Sequence, residues 1–228
     1  MNASSASTEG AETVVEYTIA ALREQIRDGR LAEGQRLVVA DVTRDLGVSN
    51  GPVREAIRRL TGEGLVEITP HRGAAVRSFT GKDVREIFQV REMLEGLAAR
   101  LAAERIGLGD GRTRLLELQE EANAALGGAY VEHNQSFHEL IYDLGGNDRV
   151  RELARQLTLP IYRRRIHYLM DPAYARTSAL EHVLIVEAIL DGDGAGAERA
   201  MRNHVRNSGV ALMDALVADQ RRPKARSA

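Results

Sequence analysis

The chain has no cysteine among its 228 residues. That absence removes disulfide frameworks, thiol nucleophiles and thiolate zinc sites together, so any metal must be held by nitrogen and oxygen ligands. Long apolar runs are also missing: nothing approaches the roughly 18 residues that a membrane helix needs. The opening stretch, MNASSASTEGAE, has neither the basic nor the apolar part of a signal peptide, which predicts a cytoplasmic protein with no membrane association. An excess of positive charge is lacking too. The formal net charge is −2 and the sequence pI about 6.3, so the whole chain does not carry the basic footprint usual for a nucleic-acid binder. Any such role must rest on a local cluster of arginines, balanced by acidic residues elsewhere.

What is present is the composition of an ordinary globular protein, with 43% hydrophobic and 28% charged residues, and a length that suits two domains. Residues 1–10 are small and polar and read as a disordered leader. From Thr13, the apolar positions Val14, Ile19, Leu22 and Ile26 recur at helical spacing until Gly29. Val39 to Leu46 is a shorter helical pattern closed by Gly47. Ser49 or Asn50 can cap a third helix that tolerates Pro52 in its first turn, since a proline there loses no helical hydrogen bond. Leu65 to Ile68 and Ala74 to Val76 read as two short strands joined by a turn-rich connection, Thr69 to Gly73. This order, over residues 11–78, is that of a winged helix-turn-helix.

From Thr80 the pattern changes to long amphipathic helices broken at glycine clusters and at Asp171 and Pro172. It predicts about six helices over residues 79–220, forming an antiparallel all-helical bundle, followed by a basic tail at 221–228. The expected fold is therefore mainly α.

In VSNGPVREAIRRLTGEGLV, Val48 to Val66, the residues Val53, Ile57, Leu60 and Leu65 can pack inward while Arg54, Arg58 and Arg59 project outward. A helix docked in the major groove needs this division. A solvated charged face, or a salt bridge of Arg54 to nearby carboxylates, would give the same spacing. The segment resembles the recognition region of the GntR family of regulators, in Val48, Ser49, Pro52 to Ala56, Leu60 and Glu63 to Val66, with Arg72 to Val76 fitting the wing. The resemblance implies that Ser49 and Arg54 contact phosphate or bases, with Arg58 nearby, and that Arg72 and Gly73 set the wing in the minor groove. Asn50 and Gly51 depart from the family's arginine and threonine. The departure implies either an altered operator, since asparagine can read adenine in bidentate fashion, or weaker binding.

In the second half, Asn134 and His138 are four residues apart on one helix, and His182 and His204 lie on two others. Three imidazoles and an amide oxygen meeting in a bundle would suit zinc, nickel or iron. The region is similar to the FCD ligand-binding domain of the FadR subgroup in five segments: Arg91 to Glu95, Asn134 to Ile141, Gly146 with Asn147, Glu181 to Ile189, and Met201 to His204. That similarity implies a divalent metal held by Asn134, His138, His182 and His204. With a neutral asparagine the site would carry a net charge of +2 and welcome an anion. It further implies that Arg91 clamps a ligand carboxylate. An intrahelical pair with Glu95, worth a few tenths of a kcal/mol, is the other reading of Arg91. His71, His133 and His167 match no ligand position and read as surface or packing residues.

Together these features predict a homodimeric transcription regulator, in the form of a repressor, binding a double-stranded DNA operator under control of a small organic acid. The link at Arg77 to Lys82 would carry the ligand's effect to the DNA-binding heads. Two alternatives remain at this level. The helical domain could serve dimerisation alone, without metal, or the histidines could belong to a metal-dependent enzyme, for which no carboxylate motif marks a general acid or base.

Overall fold

The structure is a computed structural model that describes residues 13–124, 129–158 and 171–221. The leader at 1–10, His167 and the tail from 222 onward lie outside the described residues. Two compact units divide the chain, residues up to Ser78 and residues from Phe79.

In the first unit, α1 (Val14–Asp28) opens on a capping box in which Thr13 and Glu16 satisfy each other's backbone N–H groups, and it ends at Gly29 with φ 89°. The second helix, α2 (Val39–Leu46), stops at Gly47 with φ 67°, where the left-handed backbone turns the chain into α3 (Asn50–Gly62). The core between them is Leu22, Val53, Ala56 and Leu60, each at most 1% exposed, with Ile19, Ile57 and Leu65 beside them. Arg23 donates to Glu63 through Nε at 3.2 Å and Nη2 at 2.8 Å, fastening α1 to the end of α3.

Strands β1 (Val66–Thr69) and β2 (Gly73–Val76) pair antiparallel, from Val66 opposite Val76 to Thr69 opposite Gly73. Each strand is thus shifted slightly from the sequence expectation. Thr69 and Gly73 close the ladder, and the loop shrinks to Pro70, His71 and Arg72, with His71 at φ 63°. A bridge from Arg36 to Ala75 adds a short third edge to the wing, which the sequence pattern did not suggest.

The second unit contains six helices among the described residues: α4 (Gly81–Arg105), α5 (Gly111–Ala124), α6 (Ala129–Gly145), α7 (Asp148–Thr158), α8 (Pro172–Leu190) and α9 (Gly194–Arg221). Thr80 and Asp83 form the capping box that starts α4, and Asp171 caps α8 ahead of Pro172. The mainly helical bundle expected from the periodicity is present. Helix α4 is its spine. Helix α9 runs antiparallel beside it, and the end of α6 crosses it so closely that a Cβ on Gly145 would stand 2.9 Å from the Ala98 carbonyl oxygen. The core combines small and aliphatic residues, including Ala98, Ala99, Ala102, Ile141, Ile185, Ile189, Met201 and Val205, with the aromatic rings of Phe88, Phe137 and Tyr142. Among the described residues no helix is long and apolar enough to cross a membrane.

Candidate DNA-binding helix and buried histidine centre

Helix α3 divides as its sequence suggests. Val53, Ile57 and Leu60 are buried, while Ser49, Asn50, Gly51 and Arg54 are exposed. Among the described residues Arg54 makes no hydrogen bond or ion pair, so its guanidinium is available to an outside acceptor. Arg58 differs. It donates to Glu55 through Nε at 2.9 Å and Nη2 at 2.6 Å, and Arg59 Nε adds a third bond to the same carboxylate at 3.1 Å. These hydrogen bonds hold the Glu55 carboxyl at a pKa of about 2, well below the usual range, so it stays charged and competes with DNA for both arginines.

Asn50 is not free either. The Thr43 hydroxyl, on α2, donates to Asn50 Oδ1 at 3.1 Å. That bond occupies one lone pair of the oxygen and turns the amide NH2 outward. In the wing, Arg72 and Gly73 are both exposed, and the Arg36 guanidinium lies 3.7 Å from where a Cβ on Gly73 would sit. Arg36 was not singled out from sequence, because it lies outside the helix-turn-helix and only the bridge to Ala75 brings it to the wing.

The second unit holds a different kind of site. His138 on α6, His182 on α8 and His204 on α9 are buried, and one ring nitrogen from each lies within 4.8 Å of the others. His204 Nε2 is 3.4 Å from His138 Nε2 and 3.4 Å from His182 Nε2. Two carboxylates stand behind the rings: His204 Nδ1 donates to Glu181 Oε2 at 2.8 Å, and His138 Nδ1 is 2.7 Å from Glu95 Oε2. At His138 and His204 these carboxylates favour the proton on Nδ1, which leaves a lone pair on each Nε2 facing the other. Phe137 stacks on His182 with ring centroids 3.8 Å apart and sets its orientation. Asn134, 3% exposed, lies one helical turn before His138.

Arg91 and Glu95 are paired as the intrahelical alternative required, with Nε to Oε1 at 2.8 Å and Nη2 to Oε1 at 2.6 Å. The energy assigned to that pair from sequence is corrected, because both groups are buried, at 1% and 0% exposure. Removing one partner from a pair this dry costs about 3–5 kcal/mol, not a few tenths. The guanidinium also lies 4.7 Å over the Phe88 ring, and its Nη1 has no hydrogen-bond partner among the described residues. Glu95 and Glu181 revise the electrostatics as well: a divalent ion here would face two carboxylates, so the expectation of a +2 site does not hold. From sequence, Glu95 was read only as a possible partner of Arg91, and neither acid was given a role at the histidines. Glu181 adjoins His182 in the chain, yet its bond goes to His204, 23 residues away.

His71 is exposed on the wing loop, while His133 is buried at 8% exposure, in a packing position.

A winged helix-turn-helix followed by a helical unit defines a class of DNA-binding regulators. Comparison with known proteins identifies the family. Residues 15–76 match the bacterial regulatory proteins of the gntR family, and residues 86–207 match the FCD domain. The chain belongs to the GntR family of transcription regulators, with an FCD domain as its second unit. It is 29% identical over 187 residues to the HTH-type transcriptional regulator YdhC of Bacillus subtilis, covering 80% of this chain and 84% of that one. It is 30% identical over 184 residues to a protein named probable D-xylose utilization operon transcriptional repressor from Paenarthrobacter nicotinovorans, covering 79% and 80%. Among solved structures, Escherichia coli McbR/YncC superposes with a TM-score of 0.72 at 25% identity, over 90% of this chain and 99% of that one. The protein is a DNA-binding transcription regulator and not an enzyme.

Proposed function

We propose that this regulator is a homodimeric repressor whose grip on its operator responds to a small organic acid bound beside a divalent metal in the FCD domain. The observation that carries this reading is the convergence of His138, His182 and His204 with Glu95 and Glu181 behind two of them. Tetrahedral coordination at a metal–nitrogen distance of about 2.0–2.1 Å sets ligand nitrogens about 3.4 Å apart, and two of the Nε2 separations are 3.4 Å. For His138 and His204, whose carboxylates favour the proton on Nδ1, a cation between the two Nε2 atoms would relieve the repulsion of facing lone pairs. The donor set suits zinc, nickel or iron, with His138, His182 and His204 as ligands and Asn134 as the fourth. Such an ion would supply a fixed positive charge, and an anionic oxygen would bind it by adding to these four ligands or by displacing the weakly held Asn134 amide.

The protein's own groups do the selecting. Arg91 is held rigid by Glu95 and Phe88 with Nη1 still uncommitted, and Ser178 Oγ is likewise buried without a partner one turn before His182. Two donors of this kind suit a carboxylate. Glu95 and Glu181 offset most of the positive charge of the ion and Arg91, so the balance favours a singly charged acid over a dianion. On the DNA side, Ser49, Asn50, Gly51 and Arg54 meet the major groove, Arg58 joins on release from Glu55, and Arg72 with Gly73 enters the minor groove. Two winged heads in a dimer give the half-site pairing that specificity needs. The link is short and held at both ends: the Arg77 N–H donates to Leu65 O at 2.9 Å, and Phe79 is buried in the helical core. The stretch from Arg77 to Lys82 would carry the ligand's effect from the helical unit to the DNA-binding head.

The test is a gel-shift on the gene's upstream region with small monocarboxylates and dicarboxylates, beside elemental analysis of the purified protein. The reading expects a sequence-specific shift, a bound first-row metal and an acid that changes the shift. Absence of any specific shift overturns the repressor; absence of metal with a ligand effect retained overturns the metal alone.

A further inference from the structure

Among the described residues, the outward face of α4 carries the longest run of exposed large apolar side chains on one helix face. Val90, Met93 and Leu97 follow one another along the side of the helix opposite Arg91 and Glu95, and they are 50%, 54% and 39% exposed. Charged pairs bound this stripe at both ends: Lys82 with Glu86 at 2.5 Å, and Arg100 with Glu104 at 2.9 Å. The order along the face is therefore positive, negative, apolar, positive, negative.

That order is complementary to itself in reverse. If a second α4 lies antiparallel across the first, with a two-fold axis at Met93, Glu86 faces Arg100 of the other copy and Lys82 faces Glu104. Gln89 then meets Leu97, and the two Met93 side chains meet on the axis. Every charge meets its opposite, whereas a parallel arrangement would set each charge against its like. An isologous contact requires this self-complementarity. On α9, which runs antiparallel beside α4, Val210 and Val217 are 56% and 43% exposed and widen the apolar surface. Such breadth matters, because a stable interface buries about 800 Å² on each partner. The rival patch, Leu180 and Leu184 on α8, has two exposed large apolar residues among the described residues, and its flanking Arg176 and Glu187 fall out of register in the same construction.

We infer that the outer face of α4 is the surface on which a second copy of this chain docks, antiparallel, about a two-fold axis at Met93, with Glu86–Arg100 and Lys82–Glu104 pairs across it. This rests on the homodimer proposed above and identifies its surface. Because α4 also carries Arg91 and Glu95 on its inner face, the helix that meets the ligand would be the helix that meets the partner. A tilt of α4 would then change the spacing of the two heads.

The absence of cysteine makes the test clean. Met93→Cys in the full chain should form a covalent dimer under mild oxidation, since helices packed about 8–10 Å apart bring Cα atoms at the crossing point within disulfide reach. Leu180→Cys should remain uncrosslinked. Glu86→Arg alone should weaken self-association, measured by analytical ultracentrifugation, by roughly tenfold or more, because it creates like-charged contacts on both sides of the axis. Glu86→Arg with Arg100→Glu in the same chain should restore it, although both intrahelical pairs remain broken. A dimeric wild type whose Met93→Cys variant stays uncrosslinked, or whose double reversal fails to recover, overturns the α4 surface alone. A wild type that is monomeric with and without operator overturns the homodimer itself.

Discussion

Glu181 accepts a hydrogen bond from His204 Nδ1 at 2.8 Å, and this pairing aims His204 Nε2 at the two other histidines. The acid neighbours His182 in sequence but serves a histidine on another helix. Its side chain is 18% exposed, so its replacement leaves the dry core of the bundle in place. Glu181→Gln is expected to fold and to lower metal affinity about 10–100-fold, the usual effect of losing an orienting carboxylate. Competition with a chelator, read by elemental analysis, checks this. A variant that keeps full affinity would separate Glu181 from the centre.

Arg54 and Arg58 should behave differently on DNA because only Arg58 is held by Glu55. Arg54→Ala is expected to weaken operator binding by about 1–3 kcal/mol. Glu55→Gln should release Arg58 and Arg59, strengthen binding to non-specific duplex, and steepen the salt dependence by about one counterion. Fluorescence anisotropy at several salt concentrations reads both effects.

The Thr43–Asn50 hydrogen bond should bias base choice. With Oδ1 partly occupied, Asn50 presents mainly its NH2 donors, which favours an acceptor edge over the donor–acceptor pair of adenine. Thr43→Val frees the oxygen, so preference for adenine at that position should rise. Competition among operators that differ at one base pair measures the change; an unaltered ranking would show that Asn50 does not touch a base.

Glu92 joins α4 to α9 through Arg202 at 3.1 Å and Arg206 at 2.5 Å. Burial pushes its carboxyl up, but the bonds from Arg206 and Arg202 outweigh that and hold it below the ordinary 4.5. Its stabilising effect is thus complete above the unfolded pKa and lost as pH falls through the lower folded one. Thermal unfolding followed from pH 6 down to pH 3 should show the midpoint dropping below about pH 4.5, and Glu92→Gln should flatten that drop.

Most of the fold could be read along the chain because it is encoded locally. Gly29 and Gly47 end helices by taking left-handed backbone, Thr13 and Thr80 begin them, and apolar spacing marks the inward faces of α1 and α3. The histidines could be named from sequence, through their place in a family pattern. That pattern says nothing of which carboxylate serves which ring, of the hydroxyl on Asn50, or of how dry Arg91 is.

Local backbone preference and side-chain periodicity fixed the order of helices and strands and the side each residue shows, since both act over a few neighbouring positions. Folding in three dimensions alone decided that Glu95 reaches His138 across 43 residues, that Glu181 bypasses His182 for His204, and that Arg91 is sealed from water. These depend on how helices cross, which is set by close packing at contacts such as Gly145 on Ala98 and Gly209 on Phe88, between residues that no short stretch of sequence contains.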